Sequence, residues 1–334
     1  MGVRNNLNSN SAAPRSLRLC ASVRDKEMRL SYKPLCRFAA TALTIILCLS
    51  SCGNDSENGS SKDVPFEMVF ISGGSFIMGS DDEGAAACVA PRPERTVTVN
   101  SFYIGKYQIT QAHYNSVMGT NPSFFQGANI PSAVNGNNLP VESISWYNAV
   151  EFCNKQSERD GLNPAYNIDK QNKDPNNTEE LDNLKWTVSL IDGADGYRLP
   201  TEAQWEYACR AGTTTAYNTG DTISDETGWY NANSGGRTHE VGRKAPNSWG
   251  LYDTHGNVWE WCWDYVNFGG ENYYDFAPNP DSNPLGLSSG NRRAERGGSW
   301  KSPPNRIISS YRERYRPHNS GNDLGFRVVR TGNN

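Results

Sequence analysis

The chain has 334 residues, a net charge of -4 and a pI near 5.7, with 36% hydrophobic and 20% charged residues. It is long enough for one large domain or two ordinary ones, and it carries no basic field to attract nucleic acid or an anionic membrane surface. Nine Trp, sixteen Tyr and thirty-one Gly point to many short segments pinned by large rings, a loop-rich fold rather than one of long helices.

Arg29, Lys33 and Arg37 precede an apolar run from Phe38 to Leu49, which is too short to span a bilayer and reads as the core of a signal peptide. Leu49-Ser50-Ser51-Cys52 follows. It resembles the lipobox of bacterial lipoproteins and makes Cys52 the expected lipidated first residue of a protein anchored in the bacterial envelope, with the outer membrane or cell surface favoured. Residues 1–27 fit neither signal nor domain, and Met28 stands where a signal peptide would start. Residues 53–63 are a flexible tether, since Gly53 to Lys62 contains no apolar residue to bury. Cys20, Cys36 and Cys48 would be lost on processing. Cys88, Cys153, Cys209 and Cys262 then remain, either as disulfides or as buried free thiols.

In chain order, Phe66 to Gly79 predicts two short strands joined as a hairpin at Gly73-Gly74, and Thr96 to Ile104 one further strand. Thr110 is an N-cap ahead of a helix from Gln111 to Met118, closed by Gly119. A second helix runs from about Ser145 to Arg159, with apolar residues at helical spacing and Gly161 beyond it. Residues 163–193 read as an exposed excursion with one amphipathic patch near Trp186. Thr201 opens a third helix over Ala203 to Arg210, ended by Gly212. Beyond that the sequence reads as turns and short strands. No strand-helix alternation, nucleotide-binding glycine loop or internal repeat is present, so one α+β domain is expected over residues 64–330.

Several blocks occur together in one order: Ile71 to Gly79, Pro140 to Asn154, Tyr197 to Ala208, Trp249 to Trp261, Arg296-Gly-Gly-Ser-Trp300 and Gly325 to Val329. The chain thereby resembles the formylglycine-generating enzymes, or sulfatase-modifying factors. The resemblance implies a C-type-lectin-like fold, loop-rich with few helices and short strands. In the active enzymes two cysteines five residues apart follow the Arg-Gly-Gly-Ser-Trp block and hold copper(I). The corresponding positions here are Ser302 and Ile307, which supply no soft ligand, so no copper and no catalysis of this kind are expected. His113, His239, His255 and His318 lack the paired spacing of an iron site. Glu202 and Glu206 read as capping and helix-face residues rather than catalytic acids.

The family's calcium loop matches Asp253 to Glu260. Asp253 and Glu260 would offer carboxylates to a structural calcium ion and Gly256 and Val258 their backbone carbonyls; alternatively Glu260 pairs with a buried arginine. Asn233 is a candidate for a second, weaker site.

Between the framework blocks, residues 301–323 are drawn almost wholly from Ser, Pro, Asn, Arg, Ile, Tyr, His, Gly and Asp, all reachable from the codon AAC by changing its adenines. This resembles the variable region of retroelement-diversified proteins, among them the treponemal variable proteins, which combine this fold with a lipoprotein leader. A plain polar, Arg-rich loop is the other reading. The expected ligand-binding residues are Ser302, Asn305, Arg306, Ile308, Tyr311, Glu313, Tyr315 and His318, with Arg312 and Arg327 assigned to the scaffold. The function expected is ligand binding by a monomeric lipoprotein, its partner an extracellular or periplasmic protein or glycan, and its only membrane contact the lipid anchor; a catalytically altered oxidoreductase of the family and a structural lipoprotein of the envelope are the alternatives.

Overall fold

In the computed structural model, which describes residues 63–81, 94–175, 177, 179–266 and 273–332, β1 (Met68–Ile71) pairs antiparallel with β4 (Phe102–Gly105), and β2 (Gly74–Met78) with β3 (Arg95–Val99). Ile71 faces Phe102 and Gly74 faces Val99. The two pairs therefore share one register, and the four strands form a single long ladder bent at its middle. The hairpin expected at Gly73-Gly74 is corrected: β1 and β2 pair with β4 and β3, not with each other, and Gly73-Gly74 is the bend. The single strand expected from Thr96 to Ile104 is likewise broken at Asn100-Ser101. Gly73 is required by close approach, not by a turn. A Cβ there would lie 2.6–2.8 Å from backbone atoms of Val99, Asn100 and Ser101, and its own N–H donates to Ser101 Oγ at 3.0 Å.

The bend sends each half into a different sheet. The first half joins β12 (Val329–Thr331) in the order β1-β4-β12, and the second joins β8 (Asp281–Ser282) in the order β2-β3-β8. The third sheet, β10-β9-β7-β11, is built from β7 (Trp259–Val266), β9 (Arg292–Arg296), β10 (Arg312–Tyr315) and β11 (Leu324–Gly325). The expected excursion is a two-stranded hairpin of β5 (Tyr166–Lys173) and β6 (Trp186–Leu190), largely exposed at its outer end.

The helices lie close to the bounds that the sequence predicts. In α1 (Gln111–Met118) the Thr110 side chain accepts from His113 N–H, and Gly119 closes the helix at φ 74°. Both α2 (Trp146–Arg159) and α3 (Glu202–Arg210) open with reciprocal capping boxes, Ser145 with Asn148 and Thr201 with Gln204. Ala211, at φ 48°, takes the left-handed cap position after α3, one residue before the expected Gly212. A fourth helical turn, α4, spans Tyr273–Phe276. The face of α2 carrying Trp146, Val150 and Phe152 forms the main core with Tyr114, Trp261 and Phe326; Phe152 stacks on Tyr114 with ring centroids 5.5 Å apart.

The chain divides at Ser56 into two units, and all described residues belong to the second, Glu57–Asn334. The leader, the lipobox at Cys52, residues 53–62 of the tether, and Cys88 lie outside the described residues.

Because the atoms crowding Gly73 are backbone, Gly73→Ala is expected to cost about 1–3 kcal/mol by forcing the bend open. Urea unfolding measures this; an unchanged midpoint would show that the bend tolerates a side chain.

Candidate functional site

Strands β9 and β10 turn two different faces to two different environments, because successive residues of a strand point to opposite sides. Inward, Arg296 and Arg312 meet the two glutamates of α3. Arg296 contacts Glu202 at 3.2 Å and Glu206 at 2.6 Å, and Arg312 contacts Glu202 at 2.6 Å. Arg210 also binds Glu206, at 2.9 Å. Both glutamates are fully buried; the reading of Glu202 as a capping residue is corrected, since Thr201 and Gln204 form the cap and both glutamates are members of a buried ionic cluster. Burial pushes the Glu206 carboxyl up, but Arg210 and Arg296 overrule it and hold the group below the usual carboxylate range.

Outward, the neighbouring residues Glu295 and Glu313 face each other across the same strand pair and line a cleft of about 480 Å³. Trp259 of β7, Arg292 of β9, and Arg314 and Tyr315 of β10 complete one side; Lys301 and residues 321–324 close the other. Glu295 is only 4% exposed, and its Oε1 is buried without a hydrogen-bond partner. Burial, Asp323 and Glu313 push its carboxyl well above the usual range, against Lys301. Lys301 is itself paired to Asp323 at 3.0 Å.

The structure divides the expected ligand residues. Glu313 and Tyr315 line the cleft. Asn305 and Arg306 lie elsewhere, in the short turn Pro304–Arg306. His318 is half-buried, with Nδ1 3.7 Å from Asp182 Oδ1. Ser302, Ile308 and Tyr311 are corrected from surface to interior. Ser302 Oγ accepts from Ser299 N–H at 3.0 Å, Ile308 joins the main core, and the Tyr311 ring packs 6.0 Å from that of Trp259. Glu295, Arg292 and Trp259 were missed because they come from strands outside residues 301–323. The only signal for Glu295 was the alternation in Arg292-Arg-Ala-Glu-Arg296, which places it opposite in facing to the scaffold arginine.

The loop matched to a calcium site folds into a cage of oxygens around one point. The carbonyls of Asp253, Gly256 and Val258 and Glu260 Oε1 lie 3.2, 3.3, 3.0 and 3.0 Å from Gln108 Nε2. Asp253 is corrected in one respect. Its backbone carbonyl also faces the cage, while its carboxyl group, pushed up to about 6 by burial, accepts from Gly242 N–H through Oδ2 and keeps Oδ1 buried without a partner. Glu260 also pairs with Arg327 at 2.6 and 2.8 Å, so both alternatives for this residue meet in one place. An amide nitrogen has two protons for these four oxygens, and Gln108 Oε1 is buried without a partner. That donor set suits a hard cation. Asn233 is engaged in a local turn, donating to Gly228 O at 2.9 Å and accepting from Tyr230 N–H.

Cys153, Cys209 and Cys262 are buried free thiols, and burial pushes all three up, Cys209 to about 11. His255 sits 3.8 Å from the Cys209 sulfur, but burial lowers its imidazole to about 4 and its Nδ1 donates to the Ile307 carbonyl. Ile307 is wholly buried, tight against Gly298, where a Cβ would come within 2.2 Å of it.

Residues 55–332 match the sulfatase-modifying factor enzyme 1-like domain. The chain is 35% identical over 302 residues to the chaperone protein LppX of Paenibacillus barcinonensis, covering 85% of this chain and 94% of that protein. It is 27% identical to the formylglycine-generating enzyme of Thermomonospora curvata, covering 82% and 97%. Among solved structures it resembles Treponema denticola variable protein 1, with a TM-score of 0.68, 32% identity, and 80% and 95% coverage.

The two buried carboxyl environments predict opposite responses. Arg296→Ala removes one of the two arginines from each glutamate, leaving Glu202 with Arg312 and Glu206 with Arg210, and is expected to cost up to about 3–5 kcal/mol in urea unfolding at pH 7. Glu206, held below 4.5, contributes stability that is complete above that value and lost as pH falls through its folded value. Glu295, raised above 4.5, is favourable at low pH and loses stability as pH rises toward its folded value. Glu295→Gln should therefore gain over the wild type progressively above pH 4.5, as read by thermal unfolding across pH. A gap that does not change with pH would overturn the assignment.

Proposed function

The chain belongs to the sulfatase-modifying factor enzyme 1-like family, and from that premise we propose that it is a non-catalytic, ligand-binding lipoprotein of the bacterial envelope, anchored through Cys52. The observation that carries the reading is the cleft. Residues 301–323, whose restricted alphabet resembles a diversified region, supply much of its wall, including Lys301, Glu313, Tyr315 and Asp323. A cleft of about 480 Å³ is of the size that holds small ligands or one or two side chains.

Three features support binding over catalysis. Ser302 and Ile307, at the positions of the enzymes' cysteines, are a hydroxyl and an alkyl group, and copper(I) requires soft ligands. Both are buried and engaged in packing. The described thiols are kept protonated by burial, which removes their nucleophilicity. The likeness to a protein named as a chaperone favours a polypeptide over a glycan as ligand.

Calcium is the cofactor proposed. The Asp253, Gly256 and Val258 carbonyls and Glu260 would hold it, with Gln108 turning its amide oxygen inward, and its role would be to hold the loop that leads into β7. Chelation is then expected to lower the melting temperature by several degrees, with calcium restoring it, and Glu260→Gln should abolish the response. A melting curve indifferent to chelator and calcium would remove the cation.

A photo-cross-linking residue at Tyr315 of the anchored protein in intact cells should give a discrete adduct, while the same residue at the exposed Phe276 gives none. No adduct at Tyr315, or equal labelling at both, would overturn the binding reading. Diversification has its own test: the locus should hold a reverse transcriptase and a near-copy of the codons for residues 296–329 differing only at adenines. Absence of both would leave residues 301–323 an ordinary loop.

A further inference from the structure

The cleft floor carries an electrostatic arrangement that packing alone does not explain. Glu295 and Glu313 are direct partners across β9 and β10, and like charges in that position destabilise a strand pair. Asp323 lies on the same cleft. Glu295 is nine-tenths buried, and its Oε1 has no hydrogen-bond partner. A buried acceptor left unsatisfied costs free energy, and the residue that carries this one lines a cleft of about 480 Å³, which a turn of the carboxyl group would bring it to face.

The nearby cations do not fill the role. Lys301 is held by Asp323 at 3.0 Å, and Arg292 and Arg314 have partners of their own. A metal ion is disfavoured, since among the described residues no group of three or more His, Cys, Asp or Glu gathers at metal-holding distances. An anion would meet three carboxyl groups. An organic cation, by contrast, would supply donors to Glu295 and find its aliphatic stem against the Trp259 ring.

Building on the cleft as a binding site, we propose that its floor takes a single guanidinium or ammonium group presented by a polypeptide side chain, with Glu295 as the principal acceptor and Glu313 and Asp323 flanking it. Such a cation favours the ionised carboxylate, so binding releases a proton and tightens as pH rises. The groups facing Glu295 are Glu313, Asp323, Lys301, Arg292 and Arg314, of which the first two reinforce this direction.

The test uses the whole exported chain and titrates blocked acetyl-arginine-amide against its neutral isostere, acetyl-citrulline-amide, following tryptophan fluorescence and calorimetry. Arginine is expected to bind at least tenfold more tightly than citrulline and to release protons. Glu295→Gln should lose about tenfold of that preference while melting no lower than the wild type, and Glu313→Gln should lose a smaller part. Equal binding of the two probes, or an unaltered preference in both variants, would overturn the proposal. Competition by putrescine but not by blocked arginine would assign the site to free amines and overturn the polypeptide source. The Tyr315 cross-link separates this proposal from the reading beneath it. An adduct that persists in Glu295→Gln, with no arginine preference in vitro, means the cleft binds a ligand by other chemistry, whereas loss of the adduct from the wild type removes the cleft as a site.

Discussion

Two buried glutamates on α3, Glu202 and Glu206, and the arginines that neutralise them are the constraint on which the rest of the structure depends. Arg210 comes from the same helix, Arg296 from the end of β9 and Arg312 from the start of β10. Glu206 also accepts from Gly79 N–H, and Arg210 donates to Gly79 O, which ties in the end of β2. Beside them, Trp205 Nε1 and Arg327 both donate to Glu260. Strands scattered over some two hundred and fifty residues of chain thus converge on one helix. Isolated charges here would be prohibitive, and even paired ones contribute little net stability. Their effect is selectivity: a misregistered β9 and β10 would leave Glu202 buried without a cation and Glu206 with Arg210 alone.

That selectivity explains how short strands and loops present a defined cleft. Along β9, Arg293 is sandwiched against Trp146 and Tyr265, with its guanidinium carbon 3.8 and 3.3 Å from their ring centroids, and Arg296 enters the ionic cluster. Glu295, on the side opposite to Arg296, lines the cleft. Along β10, Arg312 enters the cluster while Glu313 and Tyr315 face the cleft. Because the strands are anchored from behind, side chains on the cleft face are free to differ without loss of the fold.

Glu260 links the oxygen cage at Gln108 to α3 through Trp205. Its Oε1 faces the cage and Arg327, and its Oε2 faces Arg327 and Trp205. Its neighbour in sequence, Trp259, the first residue of β7, walls the cleft.

Much of this was legible in the residues alone. The three longer helices were set by Thr110, Ser145 and Thr201 as caps, and the left-handed stop at Gly119 by its lack of a Cβ, because these are local effects decided within one turn. The ordered framework blocks carried the family. The scaffold role of Arg312 and Arg327 was also readable. The bend at Gly73 was not, since a glycine required by a distant backbone looks the same in sequence as one required by a turn. Nor were the burial of Ser302, Ile308 and Tyr311, or the meeting of Glu295 with Glu313. Those depend on which strands lie side by side and which face each turns to solvent, and a one-residue change in register reverses every side chain of a strand. Local propensity wrote the helices and their ends; only the tertiary pairing around the buried glutamates decided which residues became the cleft.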